Sequence, residues 1–206
     1  MTQQKKPPDW TLYWTEDFFM SNPLLLRIYT WLRIKSYYHL FDMANPNGKT
    51  CLEIGAGTGY ISKLLTRKYQ LTTTLIDNCK EAYQMFQRMS GEGEYVITDA
   101  FSFKPDRKFD IVFSDGLIEH FYYEERAKMI MVHKQLAKPN GTVIIFVPKN
   151  SWFVSNLLTM RDVLELKFDY YRIKSELLEA GLEPIAKTED WHMIGVLATP
   201  QTSAGF

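Results

Sequence analysis

Two stretches of this 206-residue sequence hold residue types spaced as chemistry would need them. The first is Glu53-Ile54-Gly55-Ala56-Gly57-Thr58-Gly59-Tyr60, three glycines at alternate positions behind an apolar run. Glycine lets backbone approach a ligand closely, and free amides opening a helix suit a nucleotide-like group. Asp77 follows Gly55 by 77 − 55 = 22 residues, near the ~20 at which an acid closing the next strand reaches ribose hydroxyls. Its alternative use is to cap the next helix, a task Asn78 could also perform, with Glu81 three residues on. A dinucleotide fingerprint would require a small residue at position 60, where Tyr60 stands, and this opposes a nicotinamide cofactor. The second stretch is Ser114-Asp115-Gly116-Leu117-Ile118-Glu119-His120-Phe121. A histidine side chain ordinarily titrates near neutral pH, so His120 could take a proton from a hydroxyl or thiol, with Glu119 and Asp115 beside it. The same Glu-His pair would also serve simply to orient a loop.

Positioning these residues requires an alternation of short apolar strands with longer helices, and the chain provides it from residue 48 onward. Strands are expected over 50–55, 71–77, 94–98, 109–114 and 141–147, and helices over 60–69, 80–89 and 124–137. That pattern is an α/β fold with a parallel sheet. A helix over 171–180 then precedes strands 183–187 and 193–199, whose short connection forbids a parallel crossover and makes them antiparallel. Residues 1–47 stand outside the alternation. There Ser21, Asn22 and Pro23 start a helix to about residue 41 that carries too many apolar positions for one stripe, so both sides should be covered. It reads as a staple across the sheet or a lid over a ligand, and the two are compatible. A second aromatic segment, 151–171, follows the fifth strand and could supply the opposite wall.

Composition narrows the classes. Lys plus Arg and Asp plus Glu each number 24, so the net charge is zero and no global field attracts a nucleic acid, although a local basic patch is allowed. The longest apolar runs fall well short of the ~18 residues of a membrane span, and the N-terminal residues lack a signal-like segment, so a cytoplasmic location is expected. Cys51 and Cys79 form no CxxC, which argues against a disulfide framework or a cysteine metal site. Cys51 is expected to be buried and inert, and Cys79 to be a small packing residue. His133 shares a stripe with Met129, Val132 and Leu136 and should be half-buried and structural; His39 and His192 are expected to be solvent-exposed.

Several motifs together resemble class I S-adenosylmethionine-dependent methyltransferases of the small-molecule type, akin to methyltransferase types 11 and 12. These are Glu53 to Gly59, Leu75-Ile76-Asp77, Thr98-Asp99-Ala100, the run from Phe109 to Asp115, Leu136-Ala137-Lys138-Pro139-Asn140-Gly141-Thr142, and Ala180-Gly181-Leu182. The resemblance covers about residues 48–200. It implies a Rossmann-like, doubly wound sheet of seven strands in order 3214576, the last antiparallel, behind an N-terminal helical cap over 1–47 and with a cap insert at 151–171. It implies S-adenosylmethionine as cofactor, with Gly55, Ala56, Gly57 and Glu53 around its methionine part. Asp77 would stand at the ribose, Asp99 and Ala100 with Asn78 at the adenine, and Ser114 at the end of the fourth strand. Asn78 departs from the apolar residue often presented to adenine there. Gly116 stands where metal-dependent relatives carry a glutamate, so no metal is expected. The departure of residues 114–117 from the base-methylating pattern disfavours nucleic-acid bases. The expected partner is therefore a small, partly apolar or aromatic acceptor, with His120, Glu119 and Asp115 as catalytic candidates and the oligomeric state open. The alternatives are a non-catalytic cofactor-binding subunit and, against the evidence of Tyr60, a nucleotide-cofactor oxidoreductase.

Overall fold

The computed structural model describes residues 10–11, 22–89, 91–150 and 166–201. Most of the 151–171 insert and of the first 21 residues therefore lies outside the described residues. Asn22 caps helix α1 (Pro23–Met43), its side chain accepting the amides of Leu24 and Leu25, and Pro23 occupies the first turn where no amide is needed. The alternation then runs β1 (Thr50–Ile54), α2 (Tyr60–Tyr69), β2 (Thr72–Asp77), α3 (Lys80–Arg88), β3 (Glu94–Ile97), β4 (Phe109–Asp115) and α4 (Tyr123–Leu136). It closes with β5 (Ala137–Pro148), α5 (Tyr170–Glu179), β6 (Leu182–Glu189) and β7 (Met193–Pro200).

The seven strands form one sheet in the order β3-β2-β1-β4-β5-β7-β6. Strands β1 to β5 pair in parallel, and β7 pairs antiparallel with both β5 and β6. This is the expected topology, including the hairpin at the end. Both faces are covered, as parallel sheets require. Leu52, Val112, Val143 and Ile145 point toward α4 and α5 on one side. Their neighbours Cys51, Ile111, Phe113, Ile144 and Phe146 point toward α1 and α2 on the other. One boundary differs from expectation: β5 begins at Ala137, directly after α4, rather than at Gly141. Phe109 pairs with Ala137 and Ile111 with Thr142, so Lys138 to Gly141 loop out as a bulge. Pro139, Asn140 and Gly141 signal irregular backbone correctly, but it lies inside the strand.

Helix α1 lies across the sheet with Tyr37 against Phe146 (centroids 4.3 Å apart) and Phe41 edge-on to Phe113 (5.3 Å). Gly195 makes this approach feasible. It pairs with Phe146, and a Cβ at this position would come within 2.4 Å of the Phe146 ring and 2.9 Å of Leu40. Only one face of α1 is buried among the described residues; Leu24, Ile28, Trp31 and Leu32 are 48 to 72% exposed. The expectation of burial on both sides is not met.

The buried face carries a charge that its apolar surroundings do not announce. Arg33 is 1% exposed and forms a two-pronged ion pair with Asp115 at the end of β4, Nη1 to Oδ2 at 3.0 Å and Nη2 to Oδ1 at 2.8 Å. Its Nε reaches Asp190 in the β6–β7 turn at 3.2 Å, and Nη1 also donates to the Tyr29 hydroxyl at 2.8 Å. Tyr29 in turn lies 2.6 Å from His192 Nδ1. Arg33, Tyr29 and His192 thus form one hydrogen-bonded chain from α1 to the β6–β7 turn. His192 is therefore built into a network rather than solvated: burial, then the Arg33 charge, pushes it down to about 4. One guanidinium thus ties α1 to two separate parts of the sheet.

Two stability outcomes follow. Arg33→Ala should cost about 3 to 5 kcal/mol in chemical denaturation, because two carboxylates lose their buried cation; a change below about 1 kcal/mol would show that the pair contributes little. Gly195→Val should cost about 1 to 3 kcal/mol by overpacking against Phe146, read from the same unfolding midpoints.

Candidate active site

The carboxyl ends of β1, β2 and β4 open onto a cavity roofed by α1, the place where open α/β sheets take ligands. Its floor is the glycine loop. Gly55, Gly57 and Gly59 all have positive φ, at 68°, 53° and 61°, which only glycine adopts without strain. A Cβ on Gly59 would sit 2.6 Å from Leu75 and 2.8 Å from Phe86, so the close approach of α2 to the sheet is made here. That explains why Tyr60 is tolerated at the next position. Its half-buried ring turns to the cavity wall and packs on Leu26, Met85 and Met89.

Four carboxylates line the cavity, Glu53, Asp77, Asp99 and Asp115, whereas the lining contains no Lys or Arg. Each has a different environment. Glu53 is 3% exposed and its Oε2 has no hydrogen-bond partner. Burial, reinforced by the Asp115 and Asp77 charges, pushes its carboxyl up to about 8. Asp77 bridges the loop and the next helix: Oδ2 accepts the Gly57 amide at 2.9 Å and Oδ1 the Cys79 amide at 2.8 Å. Burial raises its pKa, and those amides offset part of the rise. Asp77 therefore does cap the start of α3, whose N-cap residue is Cys79 and not Asn78; Asn78 lines the cavity instead. Cys79 is buried, and burial raises its thiol pKa rather than activating it. Asp99 accepts the Phe101 amide at 2.8 Å and stands at the rim beside Ala100.

The geometry separates the residues of the β4 stretch. Asp115 faces the cavity, but its carboxylate is held by Arg33, so it anchors α1 and is not available as a proton acceptor. This pairing counts against the catalytic role expected of it. Ser114 is fully buried, pointing away from the cavity, with its hydroxyl 2.9 Å from His133 Nε2. It does not meet the expectation of a cofactor contact. His133 is fully buried, not half-buried; Nδ1–H donates to the Met129 carbonyl at 2.8 Å, and burial pushes the ring down to about 4. Glu119 is 3% exposed and lies beneath the lining, its Oε1 3.9 Å from His120 Nε2, too far for a hydrogen bond. It can steady a positive charge on the ring but does not reach the cavity.

His120 does line the cavity. It closes a one-turn 3-10 helix (Ile118–His120), and the Trp10 ring packs edge-on against it at 4.9 Å. The turn is fixed from behind by Arg126, which is 1% exposed, donates to the Phe121 carbonyl at 2.7 Å and pairs with Glu176 at 2.6 and 2.9 Å. Leu26, Tyr29 and Thr30 of α1 complete the wall. Sequence reasoning missed Arg33, Tyr29 and Trp10. The available signal was the placement of Arg33 on the stripe Leu26, Thr30, Arg33, Tyr37, Leu40, a cation at helical spacing on the buried face.

Comparison with known proteins agrees with this architecture. Residues 52–145 match a family described as a methyltransferase domain. No curated protein sequence matches the chain. Among solved structures, the chain resembles the 1,6-didemethyltoxoflavin N1-methyltransferase of Burkholderia thailandensis, bound to 1,6-didemethyltoxoflavin and S-adenosylhomocysteine. The TM-score is 0.72 at 16% identity over 98% of this chain and 93% of that one. It is similar to the magnesium protoporphyrin IX methyltransferase of Synechocystis with bound S-adenosylhomocysteine, at a TM-score of 0.69 and 15% identity over 94% and 93% of the two chains. It is also similar to an S-adenosylmethionine-dependent methyltransferase of Clostridium acetobutylicum, at 0.67 and 13% identity over 87% and 98%. The sheet order and the terminal hairpin are thus those of the fold that these methyltransferases share, and residues 52–145 of the chain match a methyltransferase domain.

Proposed function

We propose that the protein binds S-adenosylmethionine in the acid-lined cavity and methylates a small, partly apolar or aromatic acceptor beside His120. The observation that carries this reading is the acidity of the lining: four carboxyl groups, of which only Asp115 is paired with an arginine, and no Lys or Arg among the lining residues, over a floor of glycine backbone. Acids at short range favour a cationic ligand and oppose a pyrophosphate. The residues fit the cofactor. The buried, unpartnered Glu53 Oε2 suits its ammonium group, Asp77 its ribose hydroxyls, and Asp99 with the Ala100 amide its adenine. Gly55, Ala56 and Gly57 leave room for its methionine part, and Asn78 stands next to the ribose acid.

When bound, the cofactor supplies an electrophilic methyl group on a positively charged sulfur. The chain's own residues then position the acceptor and handle its proton. Trp10, Leu26 and Tyr29 offer an apolar and aromatic wall to the acceptor. His120 takes the acceptor's proton, and Glu119 behind it steadies the resulting imidazolium. His133 and His192, both pushed down to about 4, stay neutral in their networks and take no part.

The reading is tested by calorimetric titration with S-adenosylmethionine and by release of S-adenosylhomocysteine across a panel of phenols, aromatic amines and thiols. Asp77→Ala should weaken cofactor binding at least tenfold, whereas His120→Ala should leave binding intact and lower turnover about 10² to 10⁴-fold. Binding without product for any acceptor would instead favour a non-catalytic subunit. Glu53 adds a pH dependence. Its raised carboxyl is mostly protonated at neutral pH, and a cationic ligand favours the ionised form. Binding should therefore release a proton, and affinity should rise with pH between about 6 and 7.5, approaching its plateau near the Glu53 pKa. Calorimetry in buffers of different ionisation enthalpy counts the proton, and Glu53→Gln should abolish its release.

A further inference from the structure

We propose that the outer face of helix α1 docks on an anionic phospholipid surface. Leu24, Ile28, Trp31 and Leu32 follow one another at helical spacing and form a single stripe. Their side chains are 64, 48, 72 and 51% exposed. The stripe cannot be buried by rotating the helix, because Arg33, Tyr37, Leu40 and Phe41 fix the opposite face to the sheet. A contiguous exposed apolar stripe of this kind marks an interaction site.

Charge decides the occupant. Arg27 and Lys35, both exposed, flank the stripe, and no ion pair among the described residues engages either one. Between positions 22 and 41 the chain has no Asp or Glu, although acids and bases balance over its whole length. A two-fold contact centred on Trp31 would bring Arg27 and Lys35 against cations of the other copy, and the one acid of α1, Asp42, lies two turns beyond Lys35 and is held by the Tyr69 hydroxyl at 2.6 Å. A nucleic acid would match the charges but not the apolar centre. An anionic membrane surface matches both: the stripe enters the headgroup boundary, Trp31 sits at the interface, and Arg27 and Lys35 extend their charges to the phosphates. The helix would lie in the plane of the surface, and no described helix is long and apolar enough to cross a membrane. Leu26, Tyr29 and Thr30, on the adjoining face, line the cavity, so docking would place its mouth close to the lipid.

Co-sedimentation of the full chain with vesicles tests this without cofactor, so its outcome is separate from that of the methyl-transfer reading. Vesicles of phosphatidylcholine mixed with phosphatidylglycerol should bind at least tenfold tighter than phosphatidylcholine alone, and added salt should weaken the difference. Trp31→Gln and the double variant Arg27→Glu/Lys35→Glu should each lose about tenfold in partitioning, since two cations and the central ring carry the contact. Their thermal midpoints should stay unchanged, because these side chains are exposed. Equal partitioning to both vesicle types, or none, overturns the proposal. So does a concentration-dependent dimer in sedimentation velocity that Trp31→Gln dissolves, which would assign the face to a second copy.

Discussion

The buried pairing of Arg33 with Asp115 and Asp190 is the interaction on which the rest of the site depends. A guanidinium 1% exposed is tolerable only because two carboxylates and a phenol satisfy it. Through Asp115 it reaches the end of β4, and through Asp190 the turn between β6 and β7. Helix α1 is thereby held at one height and rotation above the cavity, with Leu26, Tyr29 and Thr30 on the wall. The pair also redistributes charge. Asp115 is neutralised from behind, so the uncompensated negative potential lies toward Asp77 and Asp99.

Environment assigns different work to chemically similar groups. Two imidazoles are buried in hydrogen-bonded networks and kept neutral, His133 under β4 and His192 against Tyr29. The third, His120, borders the cavity between an aromatic edge and a buried carboxylate. Among the acids, Asp77 is fastened by two amides while Glu53 has an oxygen without a partner. Such divergence within one residue type separates groups that hold the fold from groups poised for a ligand.

The fold was legible because its signals are local. Apolar runs, glycine turns and helix starts each span a few residues, and the short link before Met193 was enough to make the last strands antiparallel. The early start of β5 was hidden because Pro139-Asn140-Gly141 has the chemistry of a loop whether it separates two elements or bulges from one. The glycine loop and Asp77 were legible for the same local reason. Arg33 was not, since an arginine in an apolar helix ordinarily extends to water, and its partners lie 82 and 157 residues further along. Ser114 and Asp115 were misplaced by a related ambiguity. Adjacent residues at a strand end face opposite ways, and composition does not reveal which one meets a helix and which a histidine.

That long separation has a consequence for how the molecule is made. On the ribosome α1 emerges early, but Asp190 is added 157 residues later, an interval of roughly 8 to 30 s at ordinary translation rates. Until β4 and β5 are made the helix can form its own backbone bonds but lacks Asp115 for its guanidinium and Phe113 and Phe146 for its inner rings, and the third anchor waits for Asp190. The nascent chain therefore carries α1 as a sticky, incompletely anchored segment until the hairpin is made, and a chaperone that shields apolar helices would have its natural client in this interval.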